Sequence, residues 1–201
     1  MMLSLSKGQR LSLEKKDGSS LKNICIGLNW GAVEKKGWFG TSKKAVDLDA
    51  SVGQYGPNGQ EAAKPVYFGN KKMQGIHHSG DDLTGDMDGD DGLDNEVIQI
   101  DLSQIPAHVD KLGFVLNSYG NKYTFDQIPY ASIRIYEGTP SRVDNVLATF
   151  EVASEAEFAG KFAMVLGSVY RHEGAWKFKA IGEATGDRDL QSLISYAGKI
   201  A

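Results

Sequence analysis

Apolar residues recur at every second position through much of the chain: Leu3 and Leu5, Leu11 and Leu13, then Ile24, Ile26 and Leu28. A period of two is that of a strand with one buried face. The same reading covers Pro65 to Phe68, Val97 to Leu102, Leu112 to Ser118, Ser132 to Tyr136, Val146 to Val152, Phe162 to Tyr170 and Trp176 to Ile181, about ten strands in all. Turn chemistry separates them at Lys16-Asp17-Gly18-Ser19, from Glu34 to Gly40 and from Gly53 to Gly59, where Gly and Asn relax the backbone. Short strands punctuated in this way predict an all-β fold, two antiparallel sheets packed as a β-sandwich. Helical signals are few. Ser103 to Lys111 suits a short turn or helix, and Asp187 to Ile200 has an acidic start with Leu190, Ile194 and Ala197 on one face, which predicts a C-terminal helix.

One alternating segment carries charge. In Ala45 to Val52, Val46, Leu48, Ala50 and Val52 share one strand face while Asp47, Asp49 and Ser51 share the other. Two carboxylates therefore line one surface about 7 Å apart. Taken alone, this is also the pattern of an ordinary half-exposed sandwich strand.

With 201 residues and 41% hydrophobic content, the chain can bury a sizeable core and reads as a single domain over 1–201. No repeat or linker divides it. Cys25 is the sole cysteine and sits in the apolar run Ile24-Cys25-Ile26, which excludes an internal disulfide and a Cys-His metal site. Met1-Met2-Leu3-Ser4 lacks a basic n-region followed by a long apolar stretch, and no run is long enough to span a bilayer. A cytoplasmic protein without a membrane span is expected. The lysine pairs at 15–16, 35–36, 43–44 and 71–72 read as solvated surface, and a nucleic-acid partner is not expected.

Charge changes the picture once it is mapped along the chain. The formal net charge is -4, yet Gly80 to Asp101 holds nine acidic residues and no Lys or Arg, leaving 17 acids against 22 basic residues elsewhere. Such an asymmetry asks for a local cause, a solvated or disordered acidic run or a bound cation. From Gly80 to Glu96 oxygen donors stand at nearly every step, with Gly85, Gly89 and Gly92 between them. A hard cation such as Ca²⁺, which takes six to eight oxygens, suits this set better than zinc, which prefers nitrogen and sulfur. Asp86, Asp88 and Asp90 match positions 1, 3 and 5 of an EF-hand loop, but Asp91 stands where its glycine belongs and Val97 where its last ligand belongs. The flanks also read as strands, so the loop is of another geometry.

His77-His78 just before the loop supports an alternative, a metal-dependent hydrolase of phosphoesters using the acidic loop and one histidine. Adjacent strand residues face opposite ways, so at most one of the two reaches the loop. A third reading makes the loop a purely electrostatic partner site. No Gly-x-Ser-x-Gly, P-loop or Rossmann fingerprint is present, and catalysis is not expected.

The segments Gly80-Asp81-Asp82-Leu83-Thr84-Gly85-Asp86, Gly89-Asp90-Asp91 and Glu96, with Asp47-Leu48-Asp49-Ala50-Ser51, resemble the TerD-type tellurite-resistance and stress-response family. Gly27-Leu28-Asn29-Trp30, Ile100-Asp101-Leu102 with Ile105-Pro106, and Tyr170-Arg171 with Trp176-Lys177-Phe178 extend the resemblance over most of the chain. It implies a calcium-binding β-sandwich of the bacterial cytoplasm, a sensor, scaffold or interaction module without firmly attached catalysis. It also implies other tellurite-resistance proteins as partners, including a membrane-associated complex. By position it implies one or two Ca²⁺ ions held by Asp81, Asp82, Thr84, Asp86, Asp90, Asp91 and Glu96 of the loop and by Asp47 and Asp49 of the strand. Two departures from the family pattern stand out: Gly92-Leu93-Asp94-Asn95 precedes Glu96, and Gly31 follows Trp30 where an aspartate is common, which makes Asn29 a candidate substitute.

Overall fold

Alternating segments form strands almost throughout the computed structural model, which describes residues 3–15, 17–38, 40–151 and 158–201. Met1, Met2, Lys16 of the first turn and Val152 at the end of the strand expected from Val146 lie outside the described residues. In chain order the strands are β1 (Leu3–Ser4), β2 (Arg10–Ser12), β3 (Asn23–Trp30), β4 (Val33–Gly37), β5 (Gly40–Lys44), β6 (Leu48–Tyr55), β7 (Glu61–Val66) and β8 (Lys72–Met73). They continue as β9 (Ile76–His78), β10 (Glu96–Asp101), β11 (Lys111–Ser118), β12 (Ala131–Thr139), β13 (Arg142–Glu151), β14 (Ala163–His172) and β15 (Ala175–Thr185), and helix α1 (Leu190–Ile200) follows.

Two sheets result. The first has the order β1-β13-β12-β3-β10-β9-β8 and the second β2-β15-β14-β11-β6-β7, while β4 and β5 form a separate hairpin. Between the strands of the described residues, pairing is antiparallel except where β1 joins β13. Ile24, Ile26, Leu28 and Trp30 of β3 meet Leu48, Ala50 and Val52 of β6 and Phe114 and Leu116 of β11 in one continuous buried core, the inner layer that an aligned sandwich requires.

Helix α1 closes the outer face of the second sheet. Asp189 caps it by accepting from the Ser192 backbone N–H at 2.9 Å. Leu193, Ile194 and Ala197 pack on Tyr55, Val115, Ala163, Val165 and Ile181, and the Tyr55 hydroxyl donates to the Ile194 carbonyl at 2.7 Å. Burying Leu193 and Ile194 stabilises the docking by about 2 kcal/mol each. No helix of the described residues is long and apolar enough to cross a membrane.

Three local expectations are corrected. Of Glu34 to Gly40, Phe39 lies outside the described residues; the remainder is not merely a turn but part of the β4–β5 hairpin, where Glu34 pairs with Lys43 and Lys35 with Ser42. Gly53 belongs to β6, which runs on to Tyr55 before the chain turns. The strand expected from Pro65 to Phe68 instead ends at Val66. The turn alternative holds for Ser103 to Lys111, which contains turns and no helix before β11 begins, Pro106 interrupting it and Val109 anchoring it in the core. The half-exposed reading holds for Asp47, which precedes the strand and is half-buried, but fails for β6 itself: every residue of β6 is buried, since helix and loops cover the face that alternation alone would leave to water.

Candidate metal centre

Strands β9 and β10 are antiparallel neighbours, with Ile98 opposite His78, so the acidic segment between them leaves and re-enters the same end of the first sheet. It folds across the sandwich edge toward β6. The Val46 backbone N–H donates to the Thr84 carbonyl at 3.0 Å, and the Asp86 N–H donates to the Trp30 carbonyl at 3.0 Å. The buried Trp30 indole donates to the Val46 carbonyl at 2.8 Å. Gly85 passes beneath that indole with φ of +64°, and a Cβ there would stand 2.6 Å from the ring, so both its conformation and its contact call for glycine.

Inside the loop the acids are held apart by specific donors. Asp82 Oδ1 accepts from the Thr84 N–H at 2.8 Å, the Thr84 hydroxyl at 2.9 Å and the Gly85 N–H at 3.0 Å. Burial pushes the Asp82 carboxyl up, and these bonds more than offset it, so the group sits below its ordinary value. Asn95 is a hub: its amide donates to Asp82 at 3.3 Å and to Asp86 at 3.0 Å, and its oxygen accepts from the Trp30 N–H at 2.8 Å. The loop is therefore a built element and not a disordered run.

Asp81 of the loop meets Asp47 and Asp49, with carboxylate oxygens of all three within 4.8 Å of one another. Asp49 is only 3% exposed. One of its oxygens accepts from the Asn117 amide at 3.0 Å, across the β6–β11 pairing that sets Asn117 opposite Asp49. The other, Oδ1, is buried without a hydrogen-bond partner, as is Oδ1 of Asp47. Burial and then the neighbouring Asp81 push the Asp47 carboxyl up to about 6. Burial and then Asp47 push Asp49 up to about 7. Buried carboxylate oxygens this close repel one another and lack donors, and an all-oxygen set of this kind suits a hard cation of the calcium type.

A second group, Asp86, Asp90 and Asp91, also brings carboxylate oxygens within 4.8 Å of one another, in a more exposed place. The Asn29 amide donates to Asp90 at 2.9 Å, leaving Asn29 Oδ1 buried without a partner. The Tyr130 hydroxyl donates to Asp86 at 2.8 Å. Asn29, marked in the sequence as a substitute donor, is thus at this group.

Glu96 occupies a different place. Fully buried, it accepts from the Ala50 N–H at 2.8 Å and the Asp82 N–H at 3.3 Å, tying β10 to β6 and to the loop. His78, also fully buried, lies with Nε2 3.1 Å from the Ala50 carbonyl and 3.4 Å from Glu96. Its Nδ1 accepts from the Gly80 N–H at 3.1 Å, which places the proton on Nε2. Both ring nitrogens are engaged within the fold. His77 turns away to Gln99 at 3.4 Å.

Several members of the site had no signal in the sequence. Asn117 and Tyr130 arrive from distant strands and loops. Asp94, one acid among many in the run, is a buried structural anion: it pairs with Arg134 at 2.7 Å and lies so close over Gly27 that a Cβ there would overlap its carboxylate.

A model of the TerD domain matches residues 1–196. The chain is similar, at 37% identity over 97% of its length and 98% of the other's, to "Stress response protein SCP2" of Bacillus subtilis (strain 168). It is similar at 34% identity, over 100% of its length and 94% of the other's, to "Tellurium resistance protein TerD" of Alcaligenes sp. The crystal structure of a homologue of telluride resistance protein (TerD) from Streptomyces coelicolor A3(2) superposes with a TM-score of 0.66 over 89% of this chain and 98% of that one, at 18% identity, a likeness of fold. By the extent of these matches the chain belongs to the TerD domain family.

Proposed function

We propose that this chain is a calcium-binding stress-response protein of the tellurite-resistance type, in which one or two Ca²⁺ ions order an interaction surface in the bacterial cytoplasm. The observation that carries the reading is the pair of buried, partnerless Oδ1 atoms on Asp47 and Asp49, set within reach of Asp81. Bound calcium would supply positive charge to a set of carboxylates that otherwise repel. Asp47, Asp49 and Asp81 would hold one ion. Asp86, Asp90 and Asp91, with Asn29, would hold the second. Asp82 and Thr84 shape the loop from within through their mutual hydrogen bonds, and Glu96 braces it from below.

The names of the relatives, stress response protein and tellurium resistance protein, support a role in stress tolerance, and within it the proposed part is that of a sensor or scaffold for other tellurite-resistance proteins. No reaction step is assigned to any residue. Because binding energy becomes ordering energy for the loop, calcium should raise the melting temperature. The test is calorimetric titration of chelator-stripped protein with Ca²⁺, beside Mg²⁺ and Zn²⁺. Saturable binding of one or two Ca²⁺ ions is expected, lost at the first site in Asp47→Asn/Asp49→Asn. No calcium heat and no thermal shift would refute the reading.

A further inference from the structure

The β4–β5 hairpin stands apart from both sheets, and its composition differs from its surroundings. Between Glu34 and Lys44 the sequence has Lys35, Lys36, Lys43 and Lys44 against the single acid Glu34, and Trp38 stands at the turn after Gly37. Trp38 is 95% exposed, and Lys43 and Lys44 are exposed as well. The other two tryptophans are core residues, Trp30 fully buried and Trp176 nearly so. A large apolar ring held out in water at the tip of an arm costs solvation and contributes nothing to folding.

We propose that this hairpin docks the protein on an anionic lipid surface, Trp38 entering the interfacial layer and the lysines meeting the headgroups. The spacing carries the choice of partner. At about 3.3 Å per strand residue, the Lys35 and Lys36 backbone lies roughly 7 to 10 Å behind the tip. Lys44 and Lys43 pair with Val33 and Glu34, which sets them roughly 13 to 17 Å behind it. A tip at interfacial depth, about 5 to 8 Å below the outer edge of the headgroups, therefore puts the Lys35 and Lys36 backbone at about that outer edge and Lys43 and Lys44 within about one Debye length of it. Tryptophan is favoured at this depth, and juxtamembrane lysines are attracted by acidic lipids. A single-stranded nucleic acid would need a basic groove with several aromatics to track its backbone, whereas here the charge lies along one narrow arm with Trp38 at its end.

Docking is read by Trp38 itself, since it is the exposed tryptophan of the three. The full chain is mixed with phosphatidylcholine vesicles, and with vesicles containing about a third phosphatidylglycerol, in chelator so that the outcome is independent of the calcium reading. Expected are co-sedimentation with the acidic vesicles only, a blue shift of the emission, and loss of both at high salt. Lys43→Glu/Lys44→Glu should weaken partitioning more than tenfold, and Trp38→Ala should abolish the shift, both with unchanged melting temperature. Absence of binding to acidic vesicles by the folded parent overturns the proposal. So does binding that survives in both variants, or a Trp38 shift produced by single-stranded RNA and not by vesicles.

Discussion

Replacing Asp49 by Asn should stabilise the calcium-free protein while removing calcium binding at the Asp47, Asp49 and Asp81 site. In the folded chain the Asp49 carboxyl is raised from 3.8 to about 7, by burial first and by Asp47 next. A carboxyl whose folded value lies above its unfolded one leaves stability intact below pH 4 and erodes it as pH rises, until the folded value is passed. At 1.36 kcal/mol per tenfold change in proton affinity, the ionised group costs the fold about 4 kcal/mol above pH 7 and less than half of that at pH 5. Asparagine keeps the acceptor for the Asn117 amide and places a donor beside the partnerless Oδ1 of Asp47. The variant should therefore exceed the parent in chelator at pH 8 by about 2 to 4 kcal/mol, and the gap should narrow toward pH 5. With calcium the gap should shrink or reverse, because only the parent gains binding energy at the Asp47, Asp49 and Asp81 site. Urea unfolding at the two pH values, with chelator and with calcium, measures all four quantities. A variant less stable than the parent in chelator at pH 8, or a gap that does not vary with pH, would refute the reasoning.

Calcium affinity should fall as pH is lowered through about 7 and then about 6, since Asp49 and Asp47, with these raised values in the metal-free fold, must lose protons to bind; calorimetry at pH 8 and 5.5 checks this, and equal affinities would remove both residues from the site. Glu96→Ala leaves the buried Ala50 N–H and the Asp82 N–H without their acceptor and should cost about 3 kcal/mol with or without calcium. A loss seen in urea unfolding only when calcium is present would instead make Glu96 a ligand. Gly85→Ala sets a Cβ 2.6 Å from the Trp30 ring at positive φ and should cost at least about 2 kcal/mol while weakening calcium binding. Near-ultraviolet circular dichroism of Trp30 and a calcium titration test it, and an unperturbed spectrum counts against the close packing.

Much of the architecture was legible because strand formation here is a local matter of alternation and turns. Leu112 to Ser118 and Trp176 to Ile181 became strands within a few residues of their expected bounds, and Asp187 to Ile200 became the capped helix α1. The β4–β5 hairpin escaped because its lysines and glycines lack an apolar face, so that backbone pairing alone defines it. Glu96 and Asp94 looked like further acids of one run. Their burial as a brace and as the partner of Arg134 depends on strands far away in the chain.

The sequence by itself determined most of the element types, the place of the acidic loop and the family pattern, since each is written in neighbouring residues. Only the tertiary structure decided which acids share a space. Asp81 sits with Asp47 and Asp49 and not with Asp86, and Asn117 steadies Asp49. It also decided that both faces of β6 are covered. These outcomes follow from strand register and from the path of a loop across the sandwich edge, and the energy that selects them comes from contacts between residues tens of positions apart.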